Sequence, residues 1–167
     1  MVDVQIFQTI SIVMAATSMV VAATYYILKI RIDIKTRQAQ LFMDMYKEFV
    51  SESESGTVYL LMDMEYDDYE DFERKFGHDN NPEANNMITR HMMLMEGFGV
   101  LVREEYVSVR LVTLLTSGTI KLGWEKMKGY IYEVRKRNNM PRWSIEYEYL
   151  YNKVMEYAEQ HPELQIK

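Results

Sequence analysis

Metal-binding and acid–base chemistry in this chain would draw first on its carboxylates, three histidines, fourteen methionines and thirteen tyrosines, since it has no cysteine. Without thiols there is no disulfide, no thiolate metal site and no cysteine nucleophile. The densest carboxylate group is Asp63, Glu65, Asp67, Asp68, Glu70, Asp71 and Glu73. A calcium loop needs Gly at its sixth position and a bidentate Glu at its twelfth. Counted from Asp63, those positions hold Asp68 and Arg74. The run therefore reads as the acidic start of a helix, where free N–H groups and the helix dipole favour negative charge. A docking patch for a basic partner is the other reading.

The histidines are His78, His91 and His161, and none has a second ligand at a metal-binding spacing. His91 falls on the apolar side of its segment, with Glu96 five positions on. A spacing of five on a helix does not bring two side chains together. His91 is thus expected to be a partly buried structural histidine. Met87, Met92, Met93 and Met95 surround it in sequence. Thioethers bind copper(I), but flexible core filling is the commoner use of methionine. Gly97-Phe98-Gly99 lacks the third glycine and the preceding strand of a phosphate-binding loop. No nucleophile elbow or kinase signature occurs, and no cofactor or metal is expected. Tyr147, Tyr149, Tyr151 and Tyr157 lie on more faces of the last helical segment than one core covers. Tyr147, Tyr149 and Tyr151, with Trp143, are expected to form a partner surface, since exposed aromatics are typical of contact patches.

Helices must position these groups. Seven glycines and three prolines in 167 residues suit a helical chain, because both disfavour helix interiors. The net charge of -6 offers no basic face for nucleic acid. From Val4 to Leu28 no residue is charged. As a helix this run spans roughly 37 Å at ~1.5 Å per residue, more than a hydrocarbon core of about 30 Å. A signal peptide would carry positive charge before the apolar run and a shorter run; here Asp3 is the only charge before it. The segment is therefore expected to span a membrane. Lys29, Arg31, Lys35 and Arg37 follow it, opposed only by Asp33. The positive-inside rule then puts the C-terminal domain in the cytoplasm and the N-terminus outside. Tyr25 and Tyr26 fall at the expected interface. Ser11, Ala15, Ser18 and Ala22 share one helical face, and small faces let membrane helices pack closely.

The expected architecture is all-α: a transmembrane helix continuing into a small cytoplasmic bundle of about five to six helices. The parts are a tail at 1–3, the span at 4–28, a juxtamembrane extension at 29–50 and a helical domain at 51–167. Leu41, Phe42, Met45 and Phe49 should form one apolar side of the extension. SESESG at 51–56 reads as a turn before a short helix. A helix capped by Asp67 or Asp68 stops at Gly77, and another starts at Asn81-Pro82. Val107–Leu115 reads as a short helix closed by a turn at Ser117-Gly118-Thr119. Ile120, Trp124, Met127, Ile131 and Val134 make the most regular seam, ending in Arg135, Lys136 and Arg137. After a break at 138–141, a last helix runs to about His161-Pro162.

QLFMDMY at 40–46, YDDYEDFERKFG at 66–77, EGFGVLVREEYV at 96–107, GWEKMKGYIYEVRKR at 123–137 and YEYLYNKV at 147–154 resemble a family of prokaryotic membrane-anchored proteins described as a domain of unknown function. The resemblance implies a single membrane helix and a helical cytoplasmic domain. It brings no catalytic residue.

The expected function is a non-catalytic membrane-anchored subunit, scaffold or regulator of a membrane complex. Its partners would be the bilayer and another membrane protein or a second copy, met through the span, with no nucleic acid. The alternative is a membrane-surface enzyme or toxin-like effector that relies on carboxylates.

Overall fold

The structure, a computed structural model, describes residues 2–164. Among these the chain is all-helical: α1 (Val2–Phe49), α2 (Glu52–Asp63), α3 (Tyr69–Phe76), α4 (Pro82–Arg103), α5 (Val109–Arg137), α6 (Ile145–Gln160) and a short 3-10 turn at Pro162–Leu164. Contacts divide the chain into a unit ending at Leu41 and a compact unit beginning at Phe42.

The first unit is a single stretch of α1. KIRIDIK, whose alternation would suit a strand in isolation, continues the helix. Thr9, Thr17 and Thr24 donate their hydroxyls to the carbonyls of Gln5, Val13 and Val20 at 2.8–2.9 Å. Each polar side chain is thereby satisfied inside its own helix. By length and composition α1 is apolar enough to cross a membrane, with mean hydropathy 1.9 over its best window and none of that window buried.

The compact unit starts inside α1, at Phe42. Phe42 is buried, and Met45, Tyr46 and Phe49 pack with it against the core. The rings of Phe42 and Phe49 each lie 6.2 Å from Phe98 on α4. Leu41, expected on this side, is exposed, and Tyr46 takes its place one turn along.

The expected turn at 51–56 is instead the first turn of α2. Ser51 caps it, accepting the Glu54 N–H at 3.3 Å. Asp68 caps α3 through the Asp71 N–H at 2.9 Å, and Asn81 caps α4 through Ala84 N–H at 3.2 Å, with Pro82 at the first helical position. Gly77 closes α3 with an ordinary φ of −66°. Its role is space, since a Cβ there would overlap the Glu73 carbonyl.

The turn expected at Ser117-Gly118-Thr119 does not form, and α5 runs through it unbroken from a Ser108 cap. Thr113 and Thr116 donate to the carbonyls of Val109 and Val112, both at 2.8 Å. Their buried hydroxyls thus need no break in the helix. One helical Gly costs about 1 kcal/mol, and burial of Val112 and Ile120 on either side outweighs it. Downstream the expected seam holds: Ile120, Trp124, Met127, Ile131 and Val134 are all buried.

α5 ends in a Schellman turn, with Asn139 left-handed at φ 51° and the Met140 N–H reaching the Arg135 carbonyl at 3.0 Å. α6 then returns along α5 and α4. Gly99 lets it approach, because a Cβ there would overlap the Glu146 carbonyl. Lys126 closes α2, donating to the Met64 carbonyl at 2.7 Å, while Tyr66 donates to the Lys126 carbonyl at 2.6 Å.

Trp124 is 3% exposed and packs edge-on to Tyr147 at 5.3 Å and against Tyr151 at 5.9 Å. Trp124→Ala should cost roughly 3–5 kcal/mol. Denaturant unfolding of the chain should show a lower midpoint with an unchanged slope. Wild-type stability would remove Trp124 from the core.

Candidate functional site

The compact unit holds one buried group of polar side chains in an order that chemistry could use. α2 contributes Glu54, α4 contributes His91 and α6 contributes Tyr147. Glu54 lies one helical turn from the cap at Ser51, and its side chain is buried. His91 projects from the buried face of α4 with Ile88 and Met95. Its Nδ1 meets Glu54 Oε1 in a short contact, and its Nε2 lies 3.3 Å from the Tyr147 hydroxyl. That hydroxyl also lies 3.4 Å from the Ile120 carbonyl on α5. The second oxygen of Glu54 is buried with no hydrogen-bond partner.

Gly123 makes the space. A Cβ there would overlap the Tyr147 hydroxyl and stand 2.6 Å from His91 Nε2. Four helices therefore meet at one point, each contributing a side chain, a carbonyl or a missing side chain.

A tyrosine hydroxyl has one proton to give. If it goes to the Ile120 carbonyl, His91 donates from Nε2 to the tyrosine oxygen, and the proton between Nδ1 and Glu54 sits on either partner. If it goes to His91 Nε2, the ring is neutral with its proton on Nδ1. Carboxylate, imidazole and phenol in this order can pass a proton, as in general acid–base sites. Catalysis also needs a substrate within hydrogen-bond reach, and the Glu54 and His91 side chains are each 1% exposed. Tyr147 is fully buried as well. The group is sealed, and it acts as a polar bolt joining α2, α4, α5 and α6. Burial, with the Glu54 charge adding to it, pushes the Tyr147 hydroxyl well above the ordinary tyrosine range.

Among the expected partner-surface residues, Tyr147 is displaced to the core, because its ring fills the space beside Gly123 and Trp124. Trp143, Tyr149 and Tyr151 are half-buried. Arg103 lies 3.8 Å above the Tyr149 ring and pairs with Glu146. The Tyr151 hydroxyl lies 3.4 Å from Glu125 Oε1. Trp143, with Met92, Met93 and Thr89, lines a shallow open depression. Ser11, Ala15, Ser18 and Ala22 lie together on α1, all exposed.

The methionines near His91 are dispersed. Met95 is fully buried, Met92 nearly so, and Met93 faces outward. His91 already uses both ring nitrogens. The acidic run is tied to α3 and α5. Asp71 accepts the Asp67 N–H at 3.1 Å and pairs with Lys75 at 2.8 Å and with Arg74. Hydrogen bonds from Lys75, then Arg74, hold its carboxyl well below the usual carboxylate range. Glu70 pairs with Arg137, and Glu73 accepts from the Tyr130 hydroxyl at 2.7 Å.

Glu54 and Gly123 were not singled out in the sequence. The Ser51-x-x-Glu54 spacing suits a capping box, which would put the carboxylate on the Ser51 N–H; that N–H goes to the Glu48 carbonyl at 3.1 Å instead, so no local pattern marked Glu54 as buried. The signal for Gly123 was a lone glycine inside a strong amphipathic helix, which marks close packing.

In comparisons with known proteins, the model of one protein family, described as a domain of unknown function (DUF4760), matches residues 12–154. No curated protein and no solved structure matches the chain.

Removing one partner of a buried hydrogen-bonded group leaves the other unsatisfied, at a cost of about 1–3 kcal/mol and more where it is charged. His91→Ala should destabilise the chain by about that much, and Gly123→Ala by about 1–3 kcal/mol through overpacking. Thermal unfolding of both variants checks this, and wild-type midpoints would show that the bolt bears no load. The raised Tyr147 hydroxyl contributes stability that is whole below about pH 10, where unfolded tyrosine titrates, and is lost as pH rises toward the folded value. Tyr147→Phe should therefore flatten the alkaline limb of the stability profile. The lowered Asp71 carboxyl works in the opposite sense. Its contribution is present above about pH 4 and disappears as pH falls toward the folded value. Asp71→Asn should flatten the acid limb, and an unchanged limb in either variant would reject that assignment.

Proposed function

Taking as premise that the chain belongs to the DUF4760 family, a domain of unknown function, we propose that it is a non-catalytic, membrane-anchored subunit, scaffold or regulator of a membrane protein complex. The observation that carries this reading is α1. Its side chains from Asp3 to Arg37 are all exposed, and they include an uncharged apolar run from Val4 to Leu28. In water such a surface would be covered by association, and a bilayer covers it without a protein partner. The charge flank supports an N-terminus outside and a cytoplasmic compact unit, with Lys29, Arg31, Lys35 and Arg37 against Asp33 alone.

A scaffold role is supported by where the polar chemistry lies. The one acid–base constellation described above is closed to substrate, and the acidic run is engaged by Arg74, Lys75, Arg137 and Tyr130. What α1 presents to a neighbour within the bilayer is the small face of Ser11, Ala15, Ser18 and Ala22. Small residues let helix backbones approach closely, and close packing drives association in lipid. The occupant of that face is a partner helix, from a second copy or from another membrane protein.

Protease added to intact cells should spare everything after Lys29, whereas permeabilised cells should lose the compact unit. Cleavage of that unit in intact cells would reverse the orientation. Purification of tagged chain in mild detergent should yield a stoichiometric partner or an oligomer. Ala15→Leu combined with Ser18→Leu should release it while unfolding of the compact unit is unchanged. A complex that survives both leucines would clear the small face of any role in assembly.

A further inference from the structure

α5 carries seven basic residues, and the structure divides them sharply. Lys126 donates to the end of α2, and Arg135, Lys136 and Arg137 pair with carboxylates. Among the described residues Arg110, Lys121 and Lys128 enter no ion pair, and all three are exposed. They are eleven and seven residues apart, about three turns and two turns of helix, so they form one row. Beside the Arg110 end of that row lie Leu111, Leu114 and Leu115, respectively 36%, 45% and 42% exposed. The acidic residues on this side are Glu125, engaged by the Tyr151 hydroxyl, and Glu133, paired with Lys136 and Arg137. Tyr106, also exposed, precedes the helix. The face of α5 turned away from these leucines is in the core through Ile120, Met127 and Ile131, and Trp124, one turn from Lys121 and from Lys128, is buried at the edge of the row.

We propose that this outer face of α5 lies on an anionic lipid surface, with the leucines at the acyl boundary and Arg110, Lys121 and Lys128 on the headgroup phosphates. A helix with leucines beside a basic row fits that surface, where apolar burial and attraction to anionic lipid add together. Tyr106 suits the headgroup level. The main rival occupant is a second copy of the chain. A two-fold contact through this face would set each basic row against its own copy, and like charges across an interface oppose binding. The proposal rests on the reading of α1 as a membrane span, which keeps the compact unit within reach of a bilayer.

The absence of cysteine makes the test direct. Single variants Leu114→Cys, Asp79→Cys and Val13→Cys of the full chain are labelled with a polarity-sensitive fluorophore. They are reconstituted in nanodiscs of phosphatidylcholine with phosphatidylglycerol, or of phosphatidylcholine alone. With phosphatidylglycerol, the Leu114 label should emit as in an apolar medium and the exposed Asp79 label as in water. The Leu114 signal should return toward water in phosphatidylcholine alone, and when Arg110, Lys121 and Lys128 are all changed to Glu. A Leu114 label as aqueous as that at Asp79, with an apolar label at Val13, overturns the proposal and leaves the membrane span standing. An aqueous label at Val13 removes the span, and the proposal with it. An apolar Leu114 label in every lipid, with label-to-label energy transfer, assigns the face to a second copy and also overturns it.

Discussion

The compact unit depends on a carboxylate held in the core without enough partners. Glu54 has one oxygen on His91 and one on nothing. A buried carboxylate in that state is tolerated only while the imidazole stays in place. His91 stays in place because Tyr147 stands behind it and Gly123, with no side chain, leaves both of them their room. The positions of α2, α4, α5 and α6 are therefore not independent. An apolar core can slide by small repacking steps, whereas a hydrogen-bonded group must be right or be broken.

Charge is used in the same exacting way at the helix ends. α6 begins at Ser144, left-handed at φ 53°, and its own cap side chain makes no bond. The free N–H of Tyr147 is met instead by Glu96 of α4 at 2.8 Å. Arg135 of α5 fixes the preceding turn, donating to the carbonyls of Trp143 at 2.7 Å and Ser144 at 3.1 Å and to Glu148 at 2.5 Å. Carboxylates and guanidinium groups that look in sequence like surface decoration are in fact the fastenings between helices.

Much of the helical order was legible in the sequence, and the exceptions share a cause. The α4 start was plain at Asn81-Pro82, and the α5 seam was plain from Ile120 to Val134, because both signals are local. SESESG and Ser117-Gly118-Thr119 were read as turns from the same local rules, and there tertiary packing prevailed. Glu54 has its reason to be helical in α4, and Thr113 and Thr116 satisfy their hydroxyls on their own helix. The candidate site was less legible still. Its members lie 37 and 56 positions apart, and no spacing rule reaches that far. Tyr147 looked like one more exposed tyrosine because its neighbours Tyr149 and Tyr151 are only half-buried; what separates it from them is a glycine on another helix.

The borrowed cap of α6 has a consequence for how the chain is made. A helix of this length has little stability alone, since its first turn is the costly step. Here the donor satisfied by that turn finds its acceptor on α4, and the loop before it is held by α5. During synthesis both of those helices leave the ribosome before α6 does. α6 thus emerges to a template already made, and its formation and its docking become a single event.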